Sequence, residues 1–191
     1  MCKKMLVVID YQNDFVDGAL GFSGARELDA LIAAKVREYT ERGEVVVATQ
    51  DTHRSNYLDT REGRALPVEH CIIGTSGWKF FGETGLALTQ YFLNNSFGVQ
   101  PIEKSTFGVS PVDLAWLADQ FQVDEIEFAG VVTNMCVLSN ACCFQAAYPE
   151  AQIIVDANLC AGFEPILAEK SLDVMEGVQV KVINRGGSAA K

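Results

Sequence analysis

Six short apolar stretches recur along the chain, near residues 5 to 10, 44 to 49, 99 to 103, 125 to 130, 152 to 156 and 178 to 183, with helical stretches between them. The first, Met5-Leu-Val-Val-Ile9, shows no alternation of apolar and polar residues, so the strand it predicts is buried on both faces. Parallel neighbours need a crossover, and the crossover helix covers a face of the sheet. The rhythm therefore predicts a three-layer α/β/α fold around a central, mostly parallel six-stranded sheet. Between the first two strands, Leu28, Leu31, Ile32, Val36 and Tyr39 keep helical spacing from Ala25 to Arg42, and Gly43 ends the run. Ser110-Pro111 opens another helix with a cap and a proline in its first turn. No repeat or linker divides the sequence, so residues 1 to 191 are expected to form one domain, with a tail from Asn184 onward that frays unless a neighbouring subunit orders it.

Open α/β sheets bind ligands outside the carboxyl ends of their strands, which singles out the residues that close each strand. The first strand closes in Asp10, and Ile102-Glu-Lys104 closes in Lys104 before a break at Gly108. The strand in Glu127-Phe-Ala-Gly-Val-Val-Thr-Asn-Met-Cys136 delivers a thiol where a helix is expected to begin. The unpaired amides and dipole of a helix start favour a thiolate, lowering a pKa that otherwise sits near ~8.5. Each residue has a plainer reading alone: a turn cap for Asp10, a solvated charge for Lys104, a small packed side chain for Cys136. Together they make a chemical set. The carboxylate takes the thiol's proton, and the ammonium stabilises both anions.

Ile9-Asp10-Tyr-Gln-Asn-Asp-Phe15, Glu103-Lys104-Ser-Thr-Phe107 and Gly130-Val-Val-Thr-Asn-Met-Cys136 resemble, in that order and spacing, the isochorismatase-like cysteine hydrolases, a superfamily with a Rossmann-like fold. The resemblance covers nearly the whole chain. It implies Asp10 as general base, Lys104 as the cation holding the set in register and Cys136 as nucleophile. It also implies a cis peptide between Val131 and Val132, with the amides of Val132 and Cys136 forming an oxyanion hole. The implied reaction is hydrolysis of an amide through a thioester.

A fourth segment, Gln50 to Thr75, opens at the same edge and holds both histidines of the chain. Asp51 and His53 are two apart in an extended stretch, which turns both side chains to one side, and carboxylate with imidazole suits zinc, manganese or iron. The loop resembles the metal loop of nicotinamidases, which implies a divalent metal held by Asp51, His53, Glu62 and His70. Asp59 and Glu69 compete for the third place, and Cys71 is expected to pack inward. In nicotinamidases the pyridine nitrogen of the substrate meets the metal, and the resemblance places Phe15 and Phe107 as walls of the ring. Those enzymes often have an aromatic residue three positions before the last histidine. This chain has Pro67 there, with Leu66 beside it as a substrate contact, so a wider pocket is expected.

Nicotinamide hydrolysis is thus the first expectation. Metal-free amidases of the N-carbamoylsarcosine or ureidoacrylate type, and isochorismatase-type hydrolysis, are the alternatives within the superfamily. A dinucleotide-binding module is disfavoured because Asp10-Tyr-Gln-Asn-Asp stands where a glycine-rich turn is needed. A silent scaffold of the same fold is disfavoured because all three catalytic residues are present. A net charge of −10 argues against nucleic acid or an anionic membrane as partner. No apolar run reaches the ~18 residues of a membrane span, and the start is too short and too soon interrupted for a signal peptide. Six cysteines without a framework of spacings suggest reduced thiols in a cytoplasm, with Cys142 and Cys143 packing on a helix. A homo-oligomer, dimer or tetramer, is expected from the resemblance.

Overall fold

The computed structural model describes residues 3–95 and 97–186, so the expectation for the tail lies outside the described residues from 187 onward. The elements run β1 (Lys4–Ile9), α1 (Asn13–Val16), α2 (Asp29–Glu41), β2 (Val45–Asp51), α3 (Arg61–Ala65), α4 (Gly82–Asn94), β3 (Ile102–Lys104), α5 (Pro111–Gln120), β4 (Glu125–Val131), α6 (Leu138–Ala147), β5 (Gln152–Ala161), α7 (Pro165–Gly177) and β6 (Lys181–Ile183). The strands form one six-stranded sheet in the order β3-β2-β1-β4-β5-β6, and every pairing is parallel. The direction of winding reverses between β1 and β4. That switch point is where an open α/β sheet leaves a crevice at the carboxyl ends of its strands.

Two apolar layers flank the sheet. Leu6 and Val8 of β1 face Ile32, Val36, Leu88 and Tyr91 of α2 and α4, while Met5, Val7 and Ile9 face Leu114, Leu117, Phe144, Leu172 and Met175 of α5, α6 and α7. Residues Met5 to Ile9 are fully buried, as an unalternating run requires. At about 1.5–3 kcal/mol for each large apolar side chain, this central strand anchors the domain.

The helix ends follow their sequence signals. Gly43 takes φ 67°, its N–H donates to Thr40 O and the Glu44 N–H donates to Tyr39 O, the paired bonds that close a helix on a left-handed glycine. Ser110 accepts from the Asp113 N–H ahead of Pro111.

Boundaries differ from expectation in five places, the first being β2, which runs past Thr49 to Asp51. The helix expected from Ala25 opens as a separate 3-10 turn, Arg26–Leu28, before α2. β3 spans Ile102 to Lys104 rather than 99 to 103. β6 is confined to Lys181–Ile183, because α7 runs to Gly177 and Gln179 turns with φ 71°. β5 runs on to Ala161 through an irregularity in which Val155 pairs Phe128 but Cys160 pairs Gly130. Among the described residues no helix is long and apolar enough to cross a membrane.

Candidate active site

Asp10 follows β1 directly and has φ 46°, a left-handed conformation that few residues other than glycine adopt. Its side chain caps no helix: the residue ahead of α1 is Gln12, and that helix start has no side-chain cap. The carboxylate is fully buried, its Oδ2 2.7 Å from the Lys104 ammonium and its Oδ1 accepting from the Thr49 hydroxyl at 2.6 Å. Lys104 ends β3, two strands away, and reaches across β2 to arrive there. Its Nζ also lies 3.6 Å from Cys136 Sγ, 3.5 Å from Asp51 Oδ1 and 3.1 Å from the Thr106 carbonyl.

Cys136 stands in a π-helical turn, Thr133–Val137, and α6 begins only at Leu138. The thiol is therefore inside a turn that precedes the helix and not at its first residue. The peptide between Val131 and Val132, leading into that turn, is cis. Just before it, Gly130 takes φ 123°, and a Cβ there would collide with the Ile9 carbonyl, so the two strands carrying Asp10 and Cys136 approach each other only over a glycine. Asn140 pins the turn from below: Nδ2 donates to the carbonyls of Cys136 and Phe107 at 2.8 and 2.9 Å, and Oδ1 accepts from the Val109 N–H at 2.8 Å.

The electrostatics correct the expectation of a depressed thiol pKa. Burial pushes the Cys136 thiol well above its ordinary value; Lys104 opposes this, while the carboxylates of Asp10 and Asp51 reinforce it. Burial likewise raises Asp10, against the pull of Lys104. Burial alone would lower Lys104, but Asp10, Cys136 and Asp51 together raise it, so the ammonium is permanently charged.

The second half of the site lies on the same edge. Asp51 ends β2 and pairs Lys104 in register. Its Oδ2 lies 3.1 Å from His53 Nε2 and 3.3 Å from His70 Nε2, and the three donor atoms fall within 4.8 Å of one another. His53 Nε2 is buried and finds no hydrogen bond of sound geometry. His70 Nδ1 meets the Val68 carbonyl at 2.8 Å; a carbonyl only accepts, so Nδ1 carries a proton, and on the neutral ring Nε2 has its lone pair free for a metal. Two imidazole nitrogens, one of them orphaned, and a carboxylate oxygen suit a divalent ion such as zinc, manganese or iron. Asp51 is held ionised: burial would raise its pKa, but Lys104, with His53 and His70 beside it, brings it well below the carboxylate range.

Glu62 stands back from this group, with Oε1 3.8 Å from His53 Nε2, and Asp59 and Glu69 are exposed outside it. Cys71 is fully buried, as expected, and its N–H donates to Asp14 Oδ2. Phe15 is buried with its ring edge against His70, at 5.6 Å between centroids. Phe107 is 40% exposed, and Leu66 is half-buried with its carbonyl accepting from the Tyr57 hydroxyl at 3.0 Å. A cavity of about 400 Å³ opens beside His53, lined also by Tyr57, Glu62, Ser105 and Thr106. Cys143 packs partly against the core, but Cys142 is exposed and corrects the expectation that both pack.

Several contributors escaped the reading of the sequence. Tyr57 packs against both histidine rings, at centroid distances of 4.5 and 4.9 Å, and supplies an aromatic wall that Pro67 does not. Gln12 is buried and grips the Asp51 backbone on both sides, Nε2 donating to its carbonyl and Oε1 accepting from its N–H. Thr49 and Asn140 are the others. Buried polar residues inside or just after an apolar strand were the available signal.

Comparison with known proteins bears on this geometry. The isochorismatase domain family matches residues 4–185. An uncharacterized isochorismatase family protein of Bacillus subtilis (strain 168) is 35% identical over 144 residues, 73% of this chain and 76% of that protein. The crystal structure of a nicotinamidase/pyrazinamidase from Bacillus subtilis superposes with a TM-score of 0.84 at 28% identity, covering 94% of this chain and 98% of that one. A pyrazinamidase of Pyrococcus horikoshii, solved in complex with zinc, shares the fold at 24% identity and TM-score 0.78, over 95% of this chain and 98% of that one.

Proposed function

This chain belongs to the isochorismatase domain family, and from that premise we propose that it is a cysteine amidohydrolase that converts nicotinamide to nicotinate and ammonia with the help of a divalent metal. It is a hydrolase of amide carbon–nitrogen bonds, by its family and by its likeness to the nicotinamidase/pyrazinamidase of Bacillus subtilis. The observation that carries the finer reading is the sharing of Asp51 between two groups. One of its oxygens faces the ammonium that also meets Asp10 and Cys136, and the other joins His53 and His70. A small ring anchored at the histidines thus lies one carboxylate away from the thiol.

The reaction follows from the residues. Asp10 takes the Sγ proton of Cys136, and the sulfur pair adds to the amide carbon. Lys104 compensates the negative charge that builds between thiol and carboxylate. The amides of Val132 and Cys136 receive the oxyanion, worth several kcal/mol when such donors are preorganised. Asp10 then passes its proton to the leaving nitrogen, ammonia departs, and a thioester remains. Water, deprotonated by Asp10, cleaves the thioester and restores the thiol.

Asp51, His53 and His70 would hold the metal, with Glu62 at its margin, and the bound ion would supply an anchoring point for a ring nitrogen. Tyr57, Phe15, Phe107 and Leu66 are the apolar surfaces that we assign to the ring. The cavity beside His53 has the size of a small-molecule site. We also place the protein in a cytoplasm, in line with the free cysteines among the described residues, and as a homo-oligomer.

An ammonia-release assay tests this directly, run on nicotinamide and on carbamoyl and ureido compounds with metal-free and metal-restored protein. The reading requires metal-dependent turnover of nicotinamide. Metal-independent turnover confined to the carbamoyl compounds would replace it by an amidase of the metal-free kind.

A further inference from the structure

The two oxygens of Asp10 have different partners, and the difference originates in Thr49. This residue lies on β2, in register with Ile9 of β1 on one side and Ile102 of β3 on the other. It is fully buried between the strand that carries the carboxylate and the strand that carries Lys104. Its hydroxyl accepts the Asp10 backbone N–H at 3.2 Å and donates to Asp10 Oδ1 at 2.6 Å. A hydroxyl has one proton, so a rotor that accepts from the N–H has its own hydrogen directed at Oδ1. One side chain thereby fixes both the backbone of a residue at φ 46° and the rotation of its carboxylate.

Oδ2 is buried and faces the Lys104 ammonium at 2.7 Å, on the side away from Thr49. We propose that Thr49 is a positioning residue for the nucleophile's activation, and that Oδ2, not Oδ1, is the atom that receives the Cys136 proton. In the step, the S–H bond breaks, an O–H bond forms at Oδ2, and the sulfur keeps the electron pair for attack on the amide carbon. Oδ1 stays an acceptor for Thr49 throughout. Oδ1 is committed to the Thr49 hydroxyl, whereas Oδ2 shares its ammonium partner with Sγ and so lies on the thiol's side. Lys104, 2.7 Å from Oδ2 and 3.6 Å from Sγ, keeps the two in register.

This rests on Cys136 being the nucleophile and Asp10 its base, not on the identity of the amide. The test is therefore chosen to read the thiol without substrate: the rate of Cys136 alkylation by iodoacetamide in Thr49→Val, Thr49→Ser and wild-type protein. Turnover and metal content are measured beside it. Removing the hydroxyl should slow alkylation and kcat by at least about tenfold while KM and bound metal stay as they were. Thr49→Ser keeps the donor and should return both rates to within about threefold of wild type. In an Asp10→Asn background, Thr49→Val should change alkylation less than about twofold, because the group it positions is no longer a base. Should Thr49→Val fail to fold, Thr49→Ala against Thr49→Ser makes the same comparison. Wild-type alkylation in the hydroxyl-free variant would overturn the proposal. So would a serine variant no faster than the valine one, or an equal loss in the Asp10→Asn background. Failure on nicotinamide with hydroxyl-dependent alkylation would overturn the substrate reading alone.

Discussion

Lys104 and Asp51 end adjacent strands in register, and their charged atoms lie 3.5 Å apart, buried at the point where the two halves of the site meet. One ammonium thus serves two carboxylates, since Asp10 is at 2.7 Å. Removing it leaves two buried negative charges facing each other. Lys104→Gln should therefore lower stability by about 3–5 kcal/mol, the cost of stranding one partner of a buried pair, as well as abolish turnover. A melting temperature equal to wild type would show that the lysine does not hold the carboxylates.

Cys136→Ala should abolish ammonia release while leaving the melting curve and metal content close to those of wild type. The thiol is a reactant, and exchanging it for a methyl at a small, 6% exposed site removes little packing. Measurable turnover near the wild-type rate would take Cys136 out of the mechanism.

Asp10→Asn should cost about 10²–10⁴ in kcat and slow alkylation of Cys136. The wild-type pH profile carries the same information. Burial raises Asp10, so the carboxylate is protonated, and unable to accept from sulfur, to a higher pH than an ordinary aspartate near ~3.9. Activity should hence fall on acidification through a limb that lies above the usual aspartate range, and rise as pH increases through it. Asp10→Asn should alkylate without that limb; the same limb in the variant would assign it to another group.

His53→Ala should strip the metal and weaken the binding of nicotinamide, while Cys136 still reacts with a small alkylating agent. Binding and chemistry are expected to separate because the contacts of His53 are with Asp51 and Tyr57, not with Asp10, Lys104 or Cys136. Protein purified without stoichiometric metal, combined with a wild-type rate for His53→Ala on its best substrate, would sink the nicotinamidase reading.

The parts legible in the sequence were those fixed by chain position. An unalternating strand must lie inside the sheet, so the residue after Ile9 had to reach the carboxyl edge, and the same logic placed Lys104 and Asp51 there. What a single strand cannot announce is its register against the next one. Thr49 read as the end of an apolar run, and only its pairing with Ile9 brings its hydroxyl under Asp10. Gln12 likewise meets Asp51 through strand order, not through spacing. The thiol's pKa was misread for a related reason: a helix start was inferred from composition, whereas the π turn and the enclosing layers, which raise it, come from packing.

The reversal of winding between β1 and β4 seats Asp10 and Cys136 just beyond the ends of neighbouring buried strands, while His53 and His70 belong to the connection between β2 and α4. That connection is held within itself by the pairing of His53 with Ile72, and its far end is fastened to the segment after β1, where Gln12, Asn13 and Asp14 meet Trp78, Lys79 and Gly77. On the proposed function, the bond-breaking groups stand at the ends of the sheet's own strands, and the groups that would choose the amide stand on a connection laid over them. Drift in the connection can retune which compound is accepted with the strands unchanged, whereas drift in β1 or β4 would endanger folding and chemistry in a single stroke.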